Sequence, residues 1–109
     1  MRALVVGAAV ASFVGAFAAQ AQLAPLVTPQ DYPPGALERN ERGTVSYRLT
    51  IGTNGRVKDC RVTLSSGSSE LDNATCKIMR ARARFKPAVD RDGFPIESNY
   101  DDKLVWSAE

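Results

Sequence analysis

The chain is predicted to fold as a small α+β domain, with two helices packed on one face of an antiparallel β-sheet of about three strands. Three observations carry this prediction. Two adjoining segments alternate between apolar and polar residues and are joined by the sequence GTNG, a segment with apolar residues three and four positions apart follows them, and a final strand candidate closes the chain. Strands and helices in this order are typical of an antiparallel sheet with its helices on one side.

The N-terminus has the features of an export signal. A positively charged start precedes an uncharged apolar run over residues 3–19, and a small-residue cleavage pattern ends at Ala21. The pattern predicts a signal peptide over residues 1–21. The alternative is a short membrane anchor, since the apolar run is at the lower limit of about 17 residues for a spanning helix. Residues 22–31, with two prolines, are interpreted as a tether and residues 32–109 as the domain.

The first elements of the domain are a short helix and a hairpin. A helix of up to two turns is predicted within residues 36–42, and Gly43 is expected to end it. Strands are predicted over residues 44–51 and 56–64, and Asn54-Gly55 between them is a strong hairpin signal. Each strand is expected to bury one face. The residues expected on those faces are Val45, Tyr47, Leu49 and Ile51, and then Cys60, Val62 and Leu64.

A longer helix is predicted from Glu70 to about Arg84. Ser69 and Asp72 fit the pattern of a capped helix start, and Pro87 is expected to stop the helix. An apolar stripe and a basic stripe lie on opposite faces of it. The apolar stripe is Leu71, Ala74, Ile78, Ala81 and Phe85, flanked by Cys76, Met79 and Ala83, and the basic stripe is Lys77, Arg80 and Arg84. The last strand candidate, residues 97–106, alternates weakly, so its register is left undetermined.

The two cysteines are expected to form a disulfide. Cys60 and Cys76 allow a single intramolecular pairing, and an exported domain of this size meets oxidising conditions and benefits from a covalent link. The alternatives are two free thiols or a pair of metal ligands. The chain has no histidine and no third cysteine, so a zinc site lacks ligands and no metal is expected.

The composition offers no catalytic constellation. Without histidine, the serine-rich stretch from Ser65 to Ser69 has no Ser-His-Asp partner, and it is interpreted as a helix start; no catalytic residue and no cofactor are expected. The formal net charge of +2 at pH 7 is small for a nucleic-acid-binding protein, so no such partner is expected. The basic stripe of the long helix is interpreted as a solvated face, with a docking surface for an acidic partner as the alternative.

Several short motifs, taken in order, resemble the C-terminal domain of the TonB family of energy transducers. The resemblance covers residues 31–106. The matching stretches are YPPGA at Tyr32–Ala36, RGTVSYRLTIGTNGRVKDCRV at Arg42–Val62, SSG with LDNAT at Ser65–Thr75, and RFKPA with DGFPI at Arg84–Ile96. The family fold is a small antiparallel sheet with helices on one face, which agrees with the fold class predicted above.

The resemblance implies a function in the periplasm of a Gram-negative bacterium. Domains of this family bind a short extended segment, the TonB box, of an outer-membrane transporter by adding it as a strand to an exposed sheet edge. Carried onto this chain, the partner-binding residues implied are Asp31, Tyr32 and Pro33, and then Ser98, Asn99, Tyr100, Asp101, Asp102, Lys103, Leu104, Val105 and Trp106. The same edge would also allow a homodimer through paired edge strands.

The chain departs from a complete energy transducer in two ways. It has no histidine to serve coupling to an inner-membrane motor, and its tether of about ten residues reaches roughly 35 Å at full extension. Coupling to the motor complex is therefore not expected, and the chain is interpreted as a non-catalytic binding module. The alternative function is a stand-alone envelope protein that reuses the fold to bind the cell wall or another periplasmic protein.

Overall fold

The computed structural model describes residues 26–107 and two short strands nearer the N-terminus. The remainder of the predicted signal peptide and residues 22–25 of the predicted tether lie outside the described residues. The elements are β1 (Val5–Val6), β2 (Gln20–Ala21), a 3-10 helix (Pro29–Asp31), α1 (Pro34–Glu38), β3 (Gly43–Ile51), β4 (Val57–Leu64), α2 (Ser69–Arg82), β5 (Phe85–Lys86), β6 (Ala88–Val89), β7 (Pro95–Ile96) and β8 (Ser98–Trp106).

The main sheet confirms the predicted fold class. Its order is β1-β8-β3-β4, all its pairs are antiparallel, and its three long strands are β8, β3 and β4. Helix α2 packs on β3 and β4, and α1 packs on α2. Two small antiparallel pairs, β2 with β5 and β6 with β7, complete the arrangement. The fold is thus α+β, with two helices and a central antiparallel sheet of three long strands.

The first hairpin forms as predicted. All four apolar residues of β3 are buried, and the turn closes through the amide of Gly52, which donates to the Arg56 carbonyl at 2.9 Å. Gly55 has φ +81°, and a Cβ built there would lie 2.1 Å from the carbonyl oxygen of Phe85. Glycine is therefore required at this point both by the backbone conformation and by the close approach of β5.

The outward face of β4 includes a residue that was expected to be buried. Cys60 is buried and Val62 is half-buried, but the side chain of Leu64 is 68% exposed. The register between β3 and β4 shifts between Ser46 and Tyr47, where Leu64 pairs with Ser46 and Val62 with Tyr47. The extra residue on β4 turns Leu64 to the opposite face. A strict alternation could not predict this shift.

Helix α2 begins and ends earlier than predicted. Ser68, not Ser69, is the N-cap, and its hydroxyl accepts from the amide of Leu71 at 3.3 Å. The last helical residue is Arg82 with Ala83 as C-cap, so the chain leaves the helix well before Pro87. Phe85, which was placed on the helix stripe, instead lies in β5.

The buried face of α2 is rotated from the predicted stripe. Ala74 is half-buried and Ala81 is exposed, although both were expected to face the core. Thr75, which was not assigned to either stripe, is fully buried. The buried residues of α2 are Leu71, Thr75, Cys76, Ile78 and Met79. The flanking stripe of the sequence prediction is therefore part of the actual core face.

The final strand alternates regularly, contrary to the expectation of a loose pattern. Tyr100, Leu104 and Trp106 are buried and Asp102 is half-buried, whereas the odd-numbered residues between them are exposed. All nine residues of β8 pair with β3 in one continuous register, from Ser98 opposite Ile51 to Trp106 opposite Gly43. The adjacent apolar residues at the end of the strand obscured this period of two in the sequence.

The segment before the sheet contains more regular structure than the predicted tether and two-turn helix, since a 3-10 helix precedes α1. Val27 is buried with the core, and Thr28 caps the 3-10 helix. Helix α1 starts at Pro34 and ends at Glu38, two residues before Asn40, which has φ +55°. Asn40 rather than Gly43 is thus the left-handed residue after the helix, a conformation that asparagine tolerates better than most residues.

The core of the described residues extends from Val27 to Trp106 and includes both cysteines. A disulfide joins Cys60 in β4 to Cys76 in α2, with a Cα–Cα distance of 5.6 Å, which confirms the predicted pairing. Every buried residue of this core lies at or after Val27, so a chain that starts at Gln22 contains all of them. Among the described residues, the helices are too short to cross a membrane.

Candidate functional site

The candidate site is the outer edge of β8. This strand pairs with β3 along its whole length on one side. On its other side, Leu104 and Val105 pair antiparallel with Val6 and Val5 of β1. Within the described part of the chain, no strand pairs with the outer edge of residues 98–103. An edge of this kind presents backbone donors and acceptors to a further strand.

The side chain of Asp102 reaches this edge. Its Oδ1 accepts from the backbone N–H of Lys103 at 2.8 Å, and its Oδ2 accepts from the Tyr100 hydroxyl at 3.1 Å. Burial, together with the nearby Asp102 carboxylate, raises the pKa of Tyr100. The bond to Asp102 places the Lys103 N–H at the outer edge of β8. In an antiparallel sheet, alternate residues direct their backbone groups to the same side, so Asn99 and Asp101 share this orientation.

The outer face of the sheet beside this edge is polar. The Arg48 guanidinium of β3 donates two hydrogen bonds to the Asp101 carboxylate, at 2.7 and 3.0 Å. These bonds lower the pKa of Asp101 and raise that of Arg48. Lys103, opposite Ser46, is exposed, and no ion pair to it is present among the described residues.

The inner face of β8 is fixed to the helix. The indole N–H of Trp106 donates to the Thr75 hydroxyl at 2.9 Å, and that hydroxyl donates to the Leu71 carbonyl at 2.8 Å. Both Trp106 and Leu104 are buried. Trp106 and Leu104 are among the predicted binding residues of β8. Because their side chains are buried, they would contact a partner through their backbone groups. A buried and satisfied inner face holds the strand in place without use of its outer edge.

The three predicted residues before the sheet lie in different environments. Tyr32 is buried, packs edge-on against Trp106 with ring centroids 5.3 Å apart, and donates a hydrogen bond to the Glu41 carbonyl. Asp31 pairs with Arg82 of α2 through two hydrogen bonds of 2.7 Å. These bonds hold the pKa of Asp31 well below its usual range, against the opposing effect of burial. The structure thus joins Tyr32 to the end of β8, whereas Asp31 and Pro33 face α2.

Asp31 and Pro33 line a groove that sequence analysis did not find. The groove has a volume of about 500 Å³ and lies between the 3-10 helix and α2. Its lining includes Ala74, Ile78 and Ala81, three residues of the apolar stripe predicted to face the core. Small residues seven positions apart give no signal that separates a groove from a core. The ion pair of Asp31 with Arg82 spans 51 residues of sequence and has no local signal either.

The basic stripe of α2 is partly engaged within the domain. One Arg80 nitrogen donates to the Cys60 carbonyl at 3.1 Å, and one Arg84 nitrogen donates to the Ala83 carbonyl at 2.8 Å. Lys77 is exposed and lines the groove. No group of three metal-ligating side chains occurs among the residues that the structure describes.

A small antiparallel sheet with helices on one face and an available edge defines a protein-interaction module. Residues 28–107 match the family described as the C-terminal domain of the Gram-negative bacterial TonB protein. The chain therefore belongs to this family, whose members are non-catalytic interaction domains associated with energy transduction. The family interacts with outer-membrane transporters in general, and its domains are periplasmic. A comparison with curated protein sequences found no match.

Proposed function

We propose that the chain is a non-catalytic periplasmic binding module that captures an extended segment of an outer-membrane transporter, the TonB box. The segment would add as a strand to the outer edge of β8. Membership of the family supports the class of partner. Strand addition uses main-chain hydrogen bonds for affinity and the side chains that flank the edge for specificity.

The observation that carries the proposal is the position of β8 in the sheet. Nine residues long and in continuous register with β3, it is held by its inner face and by one edge. Its other edge already accepts a short antiparallel strand at Leu104 and Val105, formed by the chain's own Val5 and Val6. Removal of residues 1–21 as a signal peptide would leave the edge available to another extended segment.

The residues before the sheet have an indirect role in this proposal. Tyr32 supports the end of β8 through its contact with Trp106 and is buried beneath it. Asp31 holds the 3-10 helix against α2 through Arg82. Pro33 and Asp31 line the groove on the helix side, where a longer partner would make a second contact. The three residues would thus position the edge and extend the surface next to it.

The disulfide supports an exported location. Cys60 and Cys76 are joined, and disulfides persist in oxidising compartments such as the bacterial periplasm. The signal peptide predicted over residues 1–21 agrees with this assignment. In this proposal the module is linked to energy-coupled transport through the transporter that it binds, and not through contact with a motor complex.

The test is an NMR titration of the oxidised chain from Gln22 to Glu109 with TonB-box peptides from transporters of the same organism. Amide shifts concentrated in residues 98–106, with smaller ones near residues 31–33, are the expected result. A peptide of the same length, in which alternate residues are replaced by proline, is the control, because proline cannot donate to the added ladder. The amides of β4 serve as an internal reference.

A titration that leaves the amides of β8 unchanged, with the domain folded, would contradict the proposal. Shifts on the exposed face of α2, around Lys77 and Arg80, would instead favour the alternative role in binding an acidic envelope component. Self-association through the same edge would appear as shifts in β8 that depend on protein concentration without peptide.

A further inference from the structure

On the outer face of the sheet next to the β8 edge, Asp101 has an ion-pair partner among the described residues and Lys103 has none there. Asp101 is held by Arg48 in a two-bond ion pair. Lys103, two residues further along the same face, is exposed and faces Ser46 across the sheet. Within the described residues no carboxylate pairs with its ammonium group. The cation available to a partner on this face of the strand is therefore Lys103.

Beside Lys103 lies an exposed apolar side chain. Val105 is 37% exposed, projects to the same outer face, and pairs with Thr44 of β3. Lys103 and Val105 thus form a pair, two residues apart, of a cation and a β-branched apolar residue. At Val105 the outer edge is paired with Val5 of β1, and the edge at Lys103 lies next to this two-residue pairing.

A strand added to this edge would set its own side chains directly beside these two. In a sheet, side chains on one face of neighbouring strands lie about 4.5–5.5 Å apart at Cβ, and opposite charges or β-branched pairs attract one another there. The residues that face Lys103 and Val105 are also two apart in the added strand, since both must lie on one face.

We infer that Lys103 is a specificity-determining residue, which selects a captured segment with a carboxylate side chain beside it and a β-branched apolar side chain beside Val105. This inference rests on the proposed capture at the β8 edge. The pairing of β1 is antiparallel, so the apolar residue is expected to come first in the partner and the acidic residue two positions later. The partner is thus an acidic extended peptide rather than any unstructured segment.

The charges elsewhere on this surface do not compete for the role. Lys58 of β4 pairs with Glu97, and Arg48 pairs with Asp101. Arg61 is exposed on the outer face, but it lies on β4, on the far side of β3 from the proposed edge. It therefore offers a matched control: an exposed cation of the same sheet face, remote from the captured strand.

The experiment measures dissociation constants of the chain from Gln22 to Glu109 for synthetic peptides of eight residues. One peptide carries Val-x-Asp, a second carries Val-x-Asn, and a third carries the reversed order Asp-x-Val. The wild-type chain should prefer aspartate over asparagine by about two- to fivefold, with the preference weakened by salt. Lys103→Gln should abolish that preference, and Arg61→Gln should retain it.

A charge exchange completes the design. Lys103→Glu should bind a Val-x-Lys peptide better than the Val-x-Asp peptide, a reversal that loss of structure would not produce. If the wild-type chain binds all peptides with equal strength, or if Lys103→Gln keeps the preference for aspartate, the inference is overturned while capture at the edge stands. If neither the synthetic peptides nor the TonB-box peptides bind at β8, the proposed function itself fails.

Discussion

The two edges of the main sheet differ in how far they are covered. The β4 edge carries two register shifts against β3, at Ser46/Tyr47 and at Thr50/Ile51. Its Cys60 carbonyl accepts from Arg80. Irregular pairing and side chains that occupy edge groups are devices that prevent a further strand from adding. The register shifts and the Arg80 hydrogen bond therefore protect the β4 edge against the addition of a further strand.

The β8 edge lacks these devices over most of its length. Its pairing with β3 has no register shift, and α2 contacts it chiefly through the buried face at Trp106. Among the described residues, the groups that protect it are the carboxylate of Asp102 and a two-residue pairing with β1. The two edges therefore differ in their protection: the build of the β4 edge disfavours a further strand, whereas the β8 edge is compatible with the proposed capture.

The largest expected effect comes from release of the protected edge. Replacement of both Cys60 and Cys76 by serine removes the disulfide across 16 residues, which should lower the free energy of unfolding by about 3 kcal/mol. Urea unfolding of the oxidised chain and the variant measures the change. Amide exchange should increase more in β4 than in β8. A loss below about 1 kcal/mol would show that packing alone holds the edge.

A smaller effect is expected from the inner face of β8. Thr75→Val keeps the shape of the side chain but removes the acceptor of the Trp106 indole N–H, so the free energy of unfolding should fall by about 1–3 kcal/mol. Unfolding followed by Trp106 fluorescence measures it. Thr63→Val on the exposed face of β4 is the matched control and should stay within about 0.5 kcal/mol of the wild type. Equal effects of the two changes would remove the argument that this bond anchors β8.

The sequence was sufficient for the hairpin because its signals are local. The alternation of β3 and the Asn54-Gly55 turn predict their own structure without a partner. The strand β8 was harder, because Leu104, Val105 and Trp106 are all apolar and only the contacts of the folded chain show which of them face α2. The exposed Leu64 depends on a register shift, which is a property of two strands together.

The candidate site was predicted from resemblance rather than from pattern. Hydrophobic periodicity predicts that a segment is a strand, but it does not predict the order of strands in a sheet. No local signal therefore shows that β8 lies near the edge of the sheet. The burial of Tyr32 against Trp106 and the bond from Lys103 to Asp102 depend on tertiary packing and side-chain direction. The groove beside Asp31 required the position of α2 as well.

The segment that leads into the sheet should respond to pH through Asp31. Its pKa is lower in the folded chain than in the unfolded chain because Arg82 binds the ionised form. The stability it contributes is therefore present above about pH 4, the unfolded pKa, and is lost as the pH falls toward the lower folded pKa. Asp31→Asn should cost on the order of 1 kcal/mol at pH 7, and the difference from wild type should shrink at low pH.

Thermal unfolding between pH 2 and pH 7 measures this dependence. Asp59→Asn, at an exposed position of β4 without an ion pair in the described structure, is the control, and its free energy of unfolding at pH 7 should stay within about 0.5 kcal/mol of the wild type. A constant difference between Asp31→Asn and wild type at every pH would indicate that the amide fails for reasons of shape rather than charge.

The smallest expected effect is a change in peptide affinity on substitution of Asp102, the carboxylate at the β8 edge. Asp102 occupies the Lys103 N–H that a captured strand would need, so the two compete for one donor. Asp102→Ala should therefore raise affinity for the peptide by about three- to tenfold, the equivalent of one hydrogen bond no longer displaced. It should also increase self-association, measured by sedimentation velocity, because the edge loses its protection.

Asp102→Asn separates competition from charge. Asparagine is neutral but retains an oxygen that accepts from the Lys103 N–H, so its affinity for the peptide should lie near the wild-type value. If the asparagine and alanine variants gain affinity equally, repulsion between Asp102 and an acidic peptide explains the gain. The hydrogen bond from the Lys103 N–H to Asp102 then has no measurable effect on peptide affinity. If neither gains, the captured strand does not use the Lys103 N–H. Only a gain confined to the alanine variant supports direct competition between the Asp102 side chain and the captured strand for the Lys103 N–H.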